Sequence, residues 1–159
     1  MDFPIHSITK SAEETERIGE IFGASYLKEK ENVTLPHLIL CIGELGSGKT
    51  TFVRAVAKGL GITTRLLSPT YIIVRRYIIS KLSKESFLYH LDLYRVQKDQ
   101  DAESIGIHEM LNDSRSITVI EWPERTSRLL LLPRIECRFS TLEDNKHEVT
   151  IQRIVTNKL

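Results

Sequence analysis

The spacing of apolar and polar residues changes several times along this chain, and each change marks an element. Ile18, Ile21, Phe22 and then Tyr26 or Leu27 recur at helical spacing. Ser11 stands where that helix needs a cap, and Glu13 and Glu14 follow in the first turn, where the helix dipole favours acids. Gly23 and Ser25 interrupt the pattern and predict an irregular helix, and Lys28 to Asn32 reads as a polar connection. His37 to Ile42, apolar from Leu38 onward, predicts a short buried strand. Helical spacing returns over Thr51 to Leu60, with Phe52, Val53, Val56 and Leu60 inward and a stop at Gly59 or Gly61.

The second half reads mostly as strands. Ser68-Pro69-Thr70 predicts a turn. Tyr71 to Ile79 and Phe87 to Tyr94 are rich in β-branched and aromatic residues, and the polar stretch Lys81 to Glu85 between them predicts an antiparallel hairpin. A helix is expected over Asp99 to Leu111, with Ile105, His108 and Leu111 on one face. Gly106 inside it costs about 1 kcal/mol relative to alanine. Ser116 to Glu121 predicts a buried strand that Trp122-Pro123 stops. Leu129 to Leu132 reads as a short helix ended by Pro133. Ile135 to Ser140 and Val149 to Val155 form a last hairpin around Leu142–His147. Helices alternating with strands, plus the hairpins, predict an α/β fold whose central sheet is mixed, partly antiparallel.

Composition narrows the class. A chain of 159 residues predicts a single domain over 1–159, which can bury about 70% of its extended surface. The net charge of +1 lacks the basic excess of a dedicated nucleic-acid binder, although local basic patches stay open. Cys41 and Cys137 each fall in a predicted buried strand, so both read as small core residues of a reducing compartment. There is no signal-peptide pattern and no apolar run near ~18 residues, so the expectation is a cytoplasmic protein without membrane contact.

The chemistry is concentrated in Gly43-Glu44-Leu45-Gly46-Ser47-Gly48-Lys49-Thr50, which fits the phosphate-loop pattern G-x-x-x-x-G-K-S/T without mismatch. It lies between a predicted strand and a predicted helix, the context this motif requires. The glycines let successive backbone N–H groups turn toward phosphate oxygens. The helix start adds its positive dipole end. Lys49 would supply charge to the terminal phosphates, and the Thr50 hydroxyl would sit on Mg²⁺. The expected ligand is a nucleoside triphosphate with Mg²⁺.

Such a loop works with an acid at the end of a buried strand. Asp92 and Glu121 both end apolar runs, and either can serve the metal directly or through water. His90 shares a strand face with Asp92 and either orients that acid or packs in the core. Trp122 either lies near the nucleotide or packs inside, and Arg95 either pairs with phosphate or faces solvent.

Five segments in order, Gly43–Phe52, Ser68-Pro69-Thr70-Tyr71, His90-Leu91-Asp92-Leu93-Tyr94-Arg95, Gly106-Ile107 and Glu121-Trp122-Pro123-Glu124, resemble the TsaE (YjeE-type) ATPases. Glu14-Thr15 with Gly19 is similar too, so the resemblance runs from about Ser11 to Glu124. It implies a three-layer P-loop NTPase fold and a weak, Mg²⁺-dependent ATPase. That ATPase would be needed to form threonylcarbamoyladenosine in tRNAs reading codons that start with A. The implied partners are TsaD and TsaB, with tRNA reached only through their complex. The resemblance places Thr50 and Glu121 on Mg²⁺, with Asp92 in the same acid set and Lys49 as a catalytic cation. Glu44, Leu45, Gly46, Ser47, Gly48, Thr51, Trp122 and Glu124 would line the ATP site. The chain departs from the family at Asp101-Ala102-Glu103, where an acid-acid-Leu stretch is usual. Asn145-Lys146-His147 stands where many members carry arginine, and Lys146 is the substitute for nucleotide contact. Two other readings share the loop. A small-molecule kinase would need an acceptor pocket and a basic lid, of which only Arg125 and Arg128 are candidates. A GTPase switch would need Asn-Lys-x-Asp, and Asn145-Lys146-His147-Glu148 ends in Glu instead.

Overall fold

The computed structural model describes residues 2–30, 35–69, 73–81, 86–97 and 99–155. Seven strands form one sheet in the order β1-β7-β6-β2-β5-β4-β3. In chain order they are β1 (Ile5–Thr9), β2 (Leu38–Gly43), β3 (Val74–Ile78), β4 (Phe87–Asp92), β5 (Ile117–Glu121), β6 (Arg134–Thr141) and β7 (His147–Ile154). The four central strands β6, β2, β5 and β4 are parallel. The pairs β3/β4, β6/β7 and β1/β7 are antiparallel. The mixed sheet and both expected hairpins are therefore present. Residues 70–72 and 82–85, parts of the expected turn and first hairpin, lie outside the described residues.

Helices α1 (Ala12–Lys30) and α2 (Lys49–Gly59) cover one face of the sheet. Phe22, Tyr26, Phe52, Val53 and Val56 meet Ile39, Ile135 and Ile151 there. Across the sheet, α3 (Asp99–Ser104) and α4 (Ile107–Asn112) close a smaller core of Leu40, Leu91, Ile120, Ala102 and Ile107. These are three layers.

Three expectations need correction, and one strand had not been foreseen. β1 was not legible: Ile5–Thr9 exposes alternate residues, and the strand exists because it pairs with β7. α1 is unbroken at Gly23 and runs on to Lys30. Gly23 lies so close to α2 that a Cβ there would be 2.3 Å from the Val56 carbonyl oxygen, so the glycine permits close helix packing. Ile21, expected inward, is 60% exposed. The helix expected over Asp99–Leu111 is two helices, because Gly106 takes a left-handed backbone at φ 76°. Ala102 and Ile107 turn inward, while His108 is exposed.

Cys41 and Cys137 are buried, free thiols on adjacent strands in direct register. They fill core space, as expected for small apolar residues.

Candidate active site

The site lies at the carboxyl ends of the parallel strands, where the chain leaves β2 and enters α2. Gly46 and Gly48 hold positive φ (80° and 100°), which glycine adopts without the steric cost other residues meet. At Gly43 a Cβ would come within 2.4 Å of the Phe139 carbonyl oxygen, so β6 presses against the loop's entry. Gly48 caps α2 without a side-chain bond, leaving the helix's first N–H groups to the loop. Ser47 is fully buried, and its Oγ has no hydrogen-bond partner among the described residues.

Lys49 is buried, and its Nζ donates to the carbonyl oxygens of Gly43 (2.6 Å) and Glu44 (2.7 Å). It also lies 4.0 Å from the centre of the Trp122 ring. Burial lowers its pKa, and the nearby charges of Glu121, Glu124 and Asp92 only partly offset that. A cation held against its own desolvation favours an anionic ligand.

The two acids are register partners on β4 and β5, so Asp92 and Glu121 stand side by side on the face beneath α2. Thr50 Oγ1 donates to Glu121 Oε2 at 2.7 Å. His90 Nε2 lies 2.8 Å from Glu121 Oε1. With its ring proton on Nε2, His90 donates to this carboxylate oxygen. His90 thus orients Glu121, the neighbouring strand's acid, and not the Asp92 of its own strand. Asp92 Oδ1 accepts from the Tyr94 backbone N–H at 3.0 Å, which turns the chain away after β4.

A cleft of about 260 Å³ joins these groups and is lined by Leu45, Gly46, Gly48, Lys49, Thr50, Thr51, Asp92, Tyr94, Glu121 and Trp122. Trp122 has a left-handed backbone (φ 60°), uncommon for a bulky residue, and its ring meets Tyr94 at 5.0 Å. Arg125 stacks over Tyr94 in turn, at 5.8 Å. Trp122 therefore faces the cleft. Glu44 and Glu124 are exposed at its margin, and Lys146 sits on the last hairpin with its Nζ on Asp144. Sequence reasoning missed Tyr94 as a lining residue because it was read as part of the strand, which ends at Asp92.

Comparison with known proteins gives this geometry a family. The profile of the threonylcarbamoyl adenosine biosynthesis protein TsaE matches residues 9–153. The tRNA threonylcarbamoyladenosine biosynthesis protein TsaE of Rickettsia felis is 32% identical over 94% of this chain and 79% of its own length. The protein of the same name from Bacillus subtilis is 31% identical over 92% of this chain and 84% of its own. Among solved structures, Bacillus subtilis YdiB superposes with a TM-score of 0.73 at 26% identity, covering 98% of this chain and 88% of that one. The fold is of the P-loop NTPase kind, and the chain belongs to the TsaE family of threonylcarbamoyl adenosine biosynthesis proteins.

Proposed function

We propose that this protein binds ATP with Mg²⁺ and hydrolyses it in the service of tRNA threonylcarbamoyladenosine formation, acting on a TsaB–TsaD complex. One observation carries the reading: Thr50 and His90 each hold one oxygen of Glu121 beside a phosphate loop whose lysine is buried. The donor set fits the implied ligands. A hydroxyl and two neighbouring carboxylates, Thr50, Glu121 and Asp92, are hard oxygen donors of the kind Mg²⁺ takes. The unpartnered buried Ser47 Oγ and the desolvated Lys49 suit phosphate oxygens.

Bound Mg²⁺ would neutralise charge on the terminal phosphates. The chain's own residues do the rest. The loop N–H groups and Lys49 hold the phosphates in line. Glu121, fixed by His90, orients a water or a metal-bound ligand. Asp92 adds a second carboxylate at the same strand ends. Trp122 and Tyr94 wall the cleft and limit water entry on that side.

Titration with a fluorescent ATP analogue and phosphate-release kinetics test this together. Lys49→Ala should lose binding. Glu121→Gln should keep binding within a few-fold and lose at least about a hundredfold in turnover, the scale of a removed catalytic or charge-stabilising group. Unchanged turnover in Glu121→Gln would remove the acid assignment. ADP formation only when a small acceptor is present, with phosphate transferred to it, would point to the kinase.

A further inference from the structure

Charge is segregated along this chain in a way the net value of +1 conceals. Between Leu45 and Lys84 lie eight of the 22 basic residues and none of the 21 acidic ones, so this segment carries +8 and the remainder −7. Lys49 belongs to the site. Other members gather on one side of the fold. Arg54 and Lys58 project from the outer face of α2, and Arg65 from the loop that follows it. With Thr63 and Thr64 they line a cleft of about 250 Å³. The loop is tied to the sheet edge, since the Leu67 backbone N–H donates to the Tyr77 hydroxyl at 3.1 Å. The Lys81 stem crosses Gly61, where a Cβ would meet it at 2.5 Å.

We infer that this face, built on Arg54, Lys58, Arg65 and Lys81, binds the sugar–phosphate backbone of RNA, and that the RNA is tRNA, contacted directly and not only through the TsaB–TsaD complex as the family resemblance implied. Lys58 is committed in part to Glu20, at 2.7 Å, with Glu16 also near. Among the described residues, Arg54 and Arg65 have no carboxylate at ion-pair distance. Guanidinium forks and exposed threonine hydroxyls are donors matched to phosphate oxygens. A protein partner fits less well. Protein interfaces deplete charge at their centre, whereas the exposed residues lining this cleft, Arg54, Lys58, Thr63, Thr64 and Arg65, are all charged or polar. Nucleic-acid interfaces are the strongly positive ones. The choice of tRNA rests on the family's place in tRNA modification, and it is independent of the ATPase reading.

The test is fluorescence anisotropy of a labelled, unmodified tRNA transcript with the full chain, nucleotide absent. Binding at 50 mM KCl should weaken about a hundredfold by 200 mM, the response of about four neutralised phosphates. Arg54→Glu with Arg65→Glu should cost at least about tenfold and flatten the salt slope by about 2. Lys10→Glu with Arg17→Glu makes the same charge change on exposed residues elsewhere and should retain binding. Thermal melting checks that both doubles fold, and Arg54→Gln with Arg65→Gln replaces the first if it does not. No binding at 50 mM, or equal loss in both doubles, overturns the inference. So does intact tRNA binding with loss of the response to TsaB–TsaD, which would give the face to an acidic protein. Because nucleotide is absent, a chain that fails to hydrolyse ATP can still pass, and one that hydrolyses it can still fail.

Discussion

Glu136 shows what one carboxylate costs and returns in this fold. It is buried on β6, and it accepts from Arg134 at 2.7 Å and from Arg138 at 2.6 Å. Burial pushes its pKa up, but the Arg134 hydrogen bond and the charges of both arginines outweigh that, and the net shift is downward from 4.5. A depressed folded pKa means that the unfolded chain binds the proton more readily. The stabilisation is therefore present above the ordinary value and fades as pH falls through the folded one. Glu136→Gln should cost about 1–3 kcal/mol in urea denaturation at neutral pH, since it leaves Arg134 buried without its counter-charge. The gap from the unaltered chain should narrow toward pH 2. A gap constant across that range would show that the charge is not what Glu136 contributes. At the phosphate-loop end, His90 is equally buried and its Nε2 meets Glu121, so His90→Leu should release that acid. Turnover should fall at least about tenfold while ATP affinity stays within a few-fold, and His90→Gln, which keeps a donor, should recover part of the rate. Equal rates in the two variants would make His90 a packing residue only.

Between elements, the contact of α1 with α2 sets where the phosphate loop sits, because α2 grows directly out of that loop. Gly19 and Gly23 on α1 face Phe52 and Val56, and Gly59 on α2 faces Glu20. Gly23→Ala would gain about 1 kcal/mol of helix propensity. Its new methyl, 2.3 Å from a backbone oxygen, would force the helices apart. Overpacking costs about 1–3 kcal/mol, so thermal melting should show net destabilisation. A raised melting temperature would mean that the helices are not held by backbone approach. This pair also shows where the sequence misleads. Gly23 reads as a flaw because propensity is local, while the reason for it lies on another helix. Gly106 misleads in the opposite sense: a helical apolar period survives across it, yet its left-handed backbone splits the helix in two. β1 has no local signal, for half of it faces solvent and its pairing partner lies about 140 residues away in sequence. β2, β5 and α2 were legible because burial on both sides of the sheet leaves continuous apolar runs, and the loop between β2 and α2 is a motif whose spacing is itself the geometry.

Across the whole molecule, the parallel centre of the sheet brings together residues far apart in sequence. Lys49 and Thr50 follow β2, Asp92 ends β4 and Glu121 ends β5, and strand order makes them neighbours. That convergence was readable as two acids at strand ends. Which acid His90 serves was not, since a cross-strand hydrogen bond depends on register. The antiparallel additions, β3 on one edge and β7 with β1 on the other, widen the sheet beyond its parallel centre. The stack from Lys49 through Trp122 and Tyr94 to Arg125 links the loop lysine to the surface. A partner bearing on Tyr94 or Arg125 would therefore touch the same stack that holds Lys49. The most direct test of the account is the rate of ATP hydrolysis by the purified chain, first alone and then with purified TsaB and TsaD. The account predicts slow turnover that rises sharply only when both partners are present. Turnover that ignores them, or none under either condition despite a folded chain, would contradict it.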